Sequence, residues 1–318
     1  MLKVSVVVPV FNAQPFLPET LACLQRQSLD SFEVLLVDDG SVDRSADVLR
    51  ATADTDTRFQ FFGKPNGGVG SARNLGLSMA DGEYVCFIDA DDRISDDYLE
   101  ELYAATSPEK PDIVVTGNVI ELWPDGSTNP RRVGVSGKHL LKTPDDKSPL
   151  VTTTGLTQNK LYKLSFLREI GLEHYKGKSV SEDNYFTICS IALARTVKTI
   201  QRGKYEYRQH HSSITKSRKK ANDASIFDVY DQARSFVSKQ LNDSDMPAWH
   251  SVIWERQRID FVNFHNELAP PDRGTFRKLA QQLTQGNVAI EQPSGELRRI
   301  VKYYAKLVLT KLGLYHPS

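Results

Sequence analysis

Cysteine is scarce in this 318-residue chain: Cys23, Cys86 and Cys189 lie far apart, each among apolar neighbours. An odd number at such spacing argues against a disulfide framework and offers no zinc pair, and it fits reduced core residues of a cytosolic protein. Long apolar runs are missing too. No stretch offers the ~20 uninterrupted apolar residues of a membrane span. Pro9 and Asn12 cut the apolar opening short of a signal-peptide core. There is no internal repeat, and no Gly-Lys-Ser/Thr, so a P-loop is excluded. Gly68-x-Gly70 starts a dinucleotide fingerprint, but Arg73 fills the third glycine's place and the stretch does not follow the first strand. Net charge is zero and no stacking platform accompanies the basic residues, which argues against nucleic acid as a partner.

Zero net charge hides a split. Residues 1–150 carry 14 Lys+Arg against 24 Asp+Glu, a net of −10, and residues 151–318 carry 26 against 16, a net of +10. One half then meets a cation and the other an anionic partner or surface, or the two halves simply attract each other. With 40% hydrophobic and 25% charged residues, the composition is that of an ordinary globular protein.

Apolar runs and turns alternate along the first hundred residues. Strands are predicted at Val4–Val10, Phe32–Val37, Arg58–Phe62 and Glu83–Ile88, with helices over Pro15–Gln27, to about Ala53 and over Gly67–Ala80. This order predicts an α/β fold with a mostly parallel sheet flanked by helices, binding its ligand at the strands' carboxyl ends. Further on, the pattern predicts a helix near Asp96–Ala105, a strand at Asp112–Thr116 and turns at Pro124-Asp125-Gly126 and Ser136-Gly137. It then predicts a helical segment over 158–171, a helix over Glu182–Ala194, and strands at Val197–Ile200 and Tyr205–Arg208. From about Ala221 the pattern is helical.

The fourth strand ends in Asp89-Ala90-Asp91-Asp92. Three carboxylates at one strand tip repel unless a cation relieves them, so the cluster reads as a divalent-metal site for phosphates, with helix capping as the plain alternative. Asp38-Asp39 ends a neighbouring strand. Asn66–Asn74 lies between them, its glycines opening a helix with N–H groups to offer a ligand.

Val8-Pro9-Val10-Phe11-Asn12, Val37-Asp38-Asp39-Gly40-Ser41, Asn66-Gly67-Gly68 with Ala72-Arg73-Asn74, and Ile88-Asp89-Ala90-Asp91-Asp92 occur in that order. Together they resemble glycosyltransferase family 2, specifically over residues 3–100, less so to about 215 and not beyond. The resemblance implies a GT-A fold and an inverting transfer from a nucleotide-diphosphate sugar. It implies that Pro9, Phe11 and Asn12 contact the nucleotide, and that Asp39 reads the imide N–H of uracil, which favours a UDP-sugar. Gly68 lets the ligand approach, Arg73 packs near base and diphosphate, Asp89 touches the ribose and Asp91 holds Mn²⁺ or Mg²⁺. Asp92 either orients the metal shell or caps a helix.

Inversion needs a carboxylate to deprotonate the acceptor hydroxyl. Ser181-Glu182-Asp183 resembles the family's Glu-Asp pair, with Asp183 as base and Glu182 assisting acceptor binding; acids in a helix's first turn are the ordinary reading. Tyr207–Thr215 resembles a segment that folds over the diphosphate. Arg208 would bind phosphate oxygens, His210 or His211 would reach phosphate or metal, and Ser213 would donate to an oxygen.

The expected division is a catalytic domain over 1–215 and a helical region over 216–318 that contacts acceptor, homodimer partner or membrane. Leu297–Leu312 combines helically spaced apolar residues with Arg298, Arg299, Lys302 and Lys306, a pattern for an anionic membrane surface or a partner. The acceptor implied is a glycan or lipid-linked saccharide, handled in the cytoplasm at the inner face of the membrane. A metal-dependent nucleotidyltransferase is the first rival, disfavoured because Asn12–Pro18 has no glycine. A non-catalytic nucleotide-sugar-binding scaffold is the second.

Overall fold

The computed structural model describes residues 1–134, 139–153, 155–177, 182–210 and 225–267, with the backbone alone for 225–227, 258 and 261–267. The chain opens with β1 (Val4–Val10), α1 (Leu17–Gln25), β2 (Phe32–Asp38), α2 (Ser45–Thr55), β3 (Phe59–Gly63), α3 (Val69–Met79) and β4 (Tyr84–Phe87). Every residue of β1, β2 and β4 is buried, as expected for parallel strands covered on both faces.

β5 (Arg93–Ile94), α4 (Tyr98–Ala104), β6 (Ile113–Thr116), β7 (Val119–Leu122), β8 (Thr128–Pro130) and β9 (Leu140–Leu141) follow. Then come α5 (Pro144–Thr153), β10 (Lys160–Lys163), α6 (Leu164–Ile170), α7 (Glu182–Leu193), β11 (Val197–Ile200) and β12 (Tyr205–Arg208). Two helices, α8 (Ser225–Ser238) and α9 (Met246–Glu267), complete the described chain.

The large sheet runs β3-β2-β1-β4-β10-β6-β11-β9. β10 is antiparallel to both β4 and β6, and β9 to β11, so the other six strands point one way. The chain leaves β1 toward β2 and β3, then returns to β4 on the other side, creating a crevice beyond the carboxyl ends of β1 and β4. A second sheet, β5-β12-β7-β8, stands beside that crevice, and β5 begins one residue after Asp92.

One expectation is corrected here. Residues 158–171 are not one helix: a turn leads into β10, and only Leu164–Ile170 is helical. Lys160 sits in mid-sheet, fully buried, donating from Nζ to Leu156 O and, at 2.9 Å, to Asn159 Oδ1. Burial pushes its amine down to about 7. A lysine so placed hides a strand from any reading of apolar alternation. The turn at Pro124-Asp125-Gly126 joins β7 and β8 as expected, whereas Ser136-Gly137 lies outside the described residues. α8 and α9 pack against α7 and α5, and Tyr230, Ala233, Val237, Trp249 and Ile253 join the same core as the sheet. Among the described residues no helix is long and apolar enough to cross a membrane.

Candidate functional site

At the tip of β1, Phe11 is 45% exposed, an apolar face at the crevice mouth, while Pro9 is buried within the strand. Asn12 takes a left-handed φ of 50° and ties two strand tips together. Its N–H donates to Ser41 Oγ (2.9 Å), and its Oδ1 accepts from Val42 N–H (2.8 Å).

Asp39 is 2% exposed and almost saturated. It accepts from Gly67 N–H (2.9 Å), Gly68 N–H (2.7 Å) and Lys64 Nζ (2.5 Å). Gly68 has φ +90°, which favours glycine, and it opens α3 without a side-chain cap. The N–H groups expected to await a phosphate are therefore spent on Asp39. Nothing in the sequence spacing pairs a β3-loop lysine such as Lys64 with a β2-tip aspartate.

Arg73, one helical turn into α3, is 2% exposed. Its Nη2 donates to Asp89 Oδ1 at 2.7 Å and its Nη1 to Asp183 Oδ1. Burial alone would lower its pKa, but Asp183 and then Asp89 outweigh burial and raise it. Burial pushes the Asp89 carboxyl up, and Asp183 and Asp91 add to that, against the opposing pull of Arg73. Gln158 Nε2 bridges the same two aspartates, 2.7 Å from Asp89 Oδ2 and 3.2 Å from Asp183 Oδ2. Its place in the turn before β10 was masked by the helical reading, although Gly155 and Asn159 carry a turn's composition.

Asp89, Asp91 and Asp92 offer ligand oxygens within 4.8 Å of one another. Their roles differ. Asp92 is buried and caps no helix: Tyr205 Oη (2.5 Å) and Arg208 N–H (2.8 Å) donate to its carboxylate, anchoring β12. Burial first, then the charges of Asp91 and Asp89, push its carboxyl well upward. Asp91 faces His210 Nε2 at 2.7 Å, and the His210 ring lies 4.4 Å from that of Phe16. Such crowding of like charges suits a divalent cation, with the Asp91–His210 pair at its edge.

Arg208 is engaged within the chain. Its Nη2 donates to Glu19 Oε2 (2.8 Å) and its guanidinium lies 5.5 Å from the Phe16 ring centre, with Nε buried and unpartnered. That bond, with Arg93 assisting against burial, holds Glu19 below the usual carboxylate range.

Glu182 and Asp183 open α7. Behind them Asn184 Nδ2 donates to Asp260 Oδ2 (2.7 Å), which also accepts from Tyr230 Oη, while Arg256 pairs with Asp260 at 2.8 Å. α8 and α9 thus fix the first turn of α7. The structure brings Asn12, Asp39, Gly68, Arg73, Asp89, Asp91, Asp183, Arg208 and His210 to one crevice edge through these contacts. Ser213, His211 and Leu297–Leu312 lie outside the described residues.

The sequence profile described as Glycosyl transferase family 2 matches residues 5–171, just over half of the chain. The chain belongs to that family. Its relatives include EpsH of Bacillus subtilis (strain 168), named as a glycosyltransferase, 30% identical over 249 residues covering 74% of this chain and 69% of EpsH. Poly(ribitol-phosphate) beta-N-acetylglucosaminyltransferase TarS of Staphylococcus aureus is 24% identical over 280 residues, 83% of this chain but 44% of TarS. The crystal structure of S. aureus TarS 1–349 in complex with UDP-GlcNAc superposes with a TM-score of 0.71 at 18% identity, covering 99% of this chain and 93% of that one. A mannosyltransferase from Pyrobaculum calidifontis with GDP-Man and Mn²⁺ has a TM-score of 0.58 at 18% identity, covering 99% and 81%. The family 2 chain described here therefore has the GT-A fold of a glycosyltransferase.

Proposed function

We propose that this family 2 member is an inverting, metal-dependent transferase that moves a hexosyl or N-acetylhexosaminyl group from a UDP-sugar to a hydroxyl of a glycan or lipid-linked saccharide. The observation that carries the reading is Arg73, which joins Asp89, on the expected donor side, to Asp183, on the expected acceptor side. One crevice then holds both reactants.

Uridine is favoured by Asp39. A carboxylate offers about four lone-pair sites; Gly67, Gly68 and Lys64 take three, leaving one for an imide N–H. The UDP complexes of TarS support the same donor class. Phe11 gives the base an apolar neighbour. Asp91, with His210, would hold Mn²⁺ or Mg²⁺, which when bound offsets charge on the departing diphosphate. Asp183 takes the proton of the acceptor hydroxyl. The freed oxygen pair forms the new bond at the anomeric carbon as the bond to the diphosphate oxygen breaks, and UDP leaves with that electron pair. Glu182, next to the base, would assist in acceptor binding. Residues 1–215 form the catalytic part, and 216–318 serve acceptor, partner or inner-membrane contacts in the cytoplasm.

The test is calorimetry of UDP with Mn²⁺. Wild type should bind, and Asp91→Ala should lose metal-dependent binding at least tenfold; equal affinity in both would remove the metal assignment.

A further inference from the structure

We propose that Gln158 is the positioning residue that holds the base and the donor-side carboxylate in one frame, an inference that rests on Asp183 being the base. Its Nε2 donates to one oxygen of Asp89 and one of Asp183. Arg73 donates to the other oxygen of each. Four side chains therefore close a ring in which all four carboxylate oxygens have a donor, and neither aspartate can rotate without the other.

This placement has a cost. With Nε2 turned to both carboxylates, Gln158 Oε1 is buried without a partner. An unpaired buried amide oxygen destabilises a fold, a cost accepted here so that Nε2 can reach both carboxylates. A group held in that state points to function rather than stability.

The turn is also built not to move. Tyr98 Oη donates to Gln158 O (2.9 Å), Tyr162 Oη to Thr157 O (3.2 Å), and Thr187 Oγ1 to Gly155 O (3.1 Å) and Leu156 O (3.2 Å). Gly155 lets the turn press on α7: a Cβ there would stand 1.7 Å from Asn184 Oδ1. The turn that presents Gln158 thus packs directly on the helix that presents Asp183.

The two oxygens of Asp183 are held unequally, Oδ1 also accepting from Thr157 Oγ1 at 3.3 Å. Arg73 gives a charge-assisted bond to Oδ1, and Gln158 a neutral, longer one to Oδ2. Oδ2 is therefore the oxygen that takes the acceptor's proton while Oδ1 stays on Arg73. Gln158 then yields its bond to Oδ2 and keeps the one to Asp89. It aims the base and shares no proton.

Gln158→Leu, with Gln158→Met as a second volume-matched variant, separates positioning from folding. Transfer at saturating donor and acceptor should fall 10- to 100-fold in kcat, the scale of a misplaced reacting group, with donor KM and UDP affinity changed by less because Arg73 still holds Asp89. A kcat within twofold of wild type, or a parallel loss of UDP affinity, would overturn the proposal. A readout that needs no turnover is the side-chain amide NMR resonance of Gln158 in the otherwise native chain. It should shift on Asp183→Asn, and an unmoved resonance contradicts the ring. Failure to find any UDP-sugar transfer would sink the proposed function while leaving that shift in place.

Discussion

At the tips of β1 and β2 the crevice is made largely by backbone: Gly67 and Gly68 N–H groups hold Asp39, and Ser41 and Val42 are tied to Asn12. Across the crevice it is made by side chains alone, with Asp89 and Asp183 held by Arg73 and Gln158. A backbone cradle is fixed once the sheet forms and tolerates substitution around it. A frame of four side chains depends on each member, because removing one leaves a charge without its counterpart. Under the proposed function, the Asp39 cradle should thus be robust, and the frame that holds the ribose contact and the base fragile.

Breaking the frame at its cation should have the largest effect. Arg73→Met leaves two partly buried carboxylates facing each other, and losing one partner of such a pair costs about 3–5 kcal/mol. At about 2 °C per kcal/mol for a large domain, thermal unfolding should drop by roughly 6–10 °C. A Tm within 2 °C of wild type would mean that the ion pairs are dispensable.

The smallest expected effect lies beneath the cradle. His174 is buried with both ring nitrogens unpartnered, stacked on Phe186 at 3.9 Å, and its backbone is held by Asn74 of α3. Burial, then the charge of Arg73, pushes its pKa well below 6.5. The unfolded chain therefore binds a proton that the folded chain refuses once pH falls below about 6.5, so stability is full above that pH and declines below it. Between pH 7.5 and 5.5 the loss should be at most about 1.4 kcal/mol, or roughly 3 °C. His174→Phe should flatten that part of the pH–Tm curve, whereas an equal slope in the variant would place the dependence elsewhere.

Legibility follows the same division. β1, β2, β11 and β12 stand within a residue of their expected bounds because buried parallel strands and short strands bounded by turns announce themselves. Asp39, Arg73, Asp89, Asp91 and Asp183 could be named from motif residues in order. What could not be read were partners made by tertiary contact: Lys64 on Asp39, Glu19 on Arg208, and Tyr205 on Asp92, which turns an apparent cap into a strand anchor. Gln158 and the strand after it were hidden because a buried lysine breaks the alternation that marks a strand.

The central claim is that Asp183 removes the proton while donor binding rests on the Asp39 cradle, Asp89 and Asp91. The direct measurement is UDP affinity and sugar transfer on a single variant, Asp183→Asn, with Mn²⁺ present. UDP affinity within threefold of wild type with transfer reduced at least a hundredfold is the predicted result. An Asp183→Asn protein that transfers sugar at near wild-type rate, or that loses UDP binding along with transfer, would contradict it.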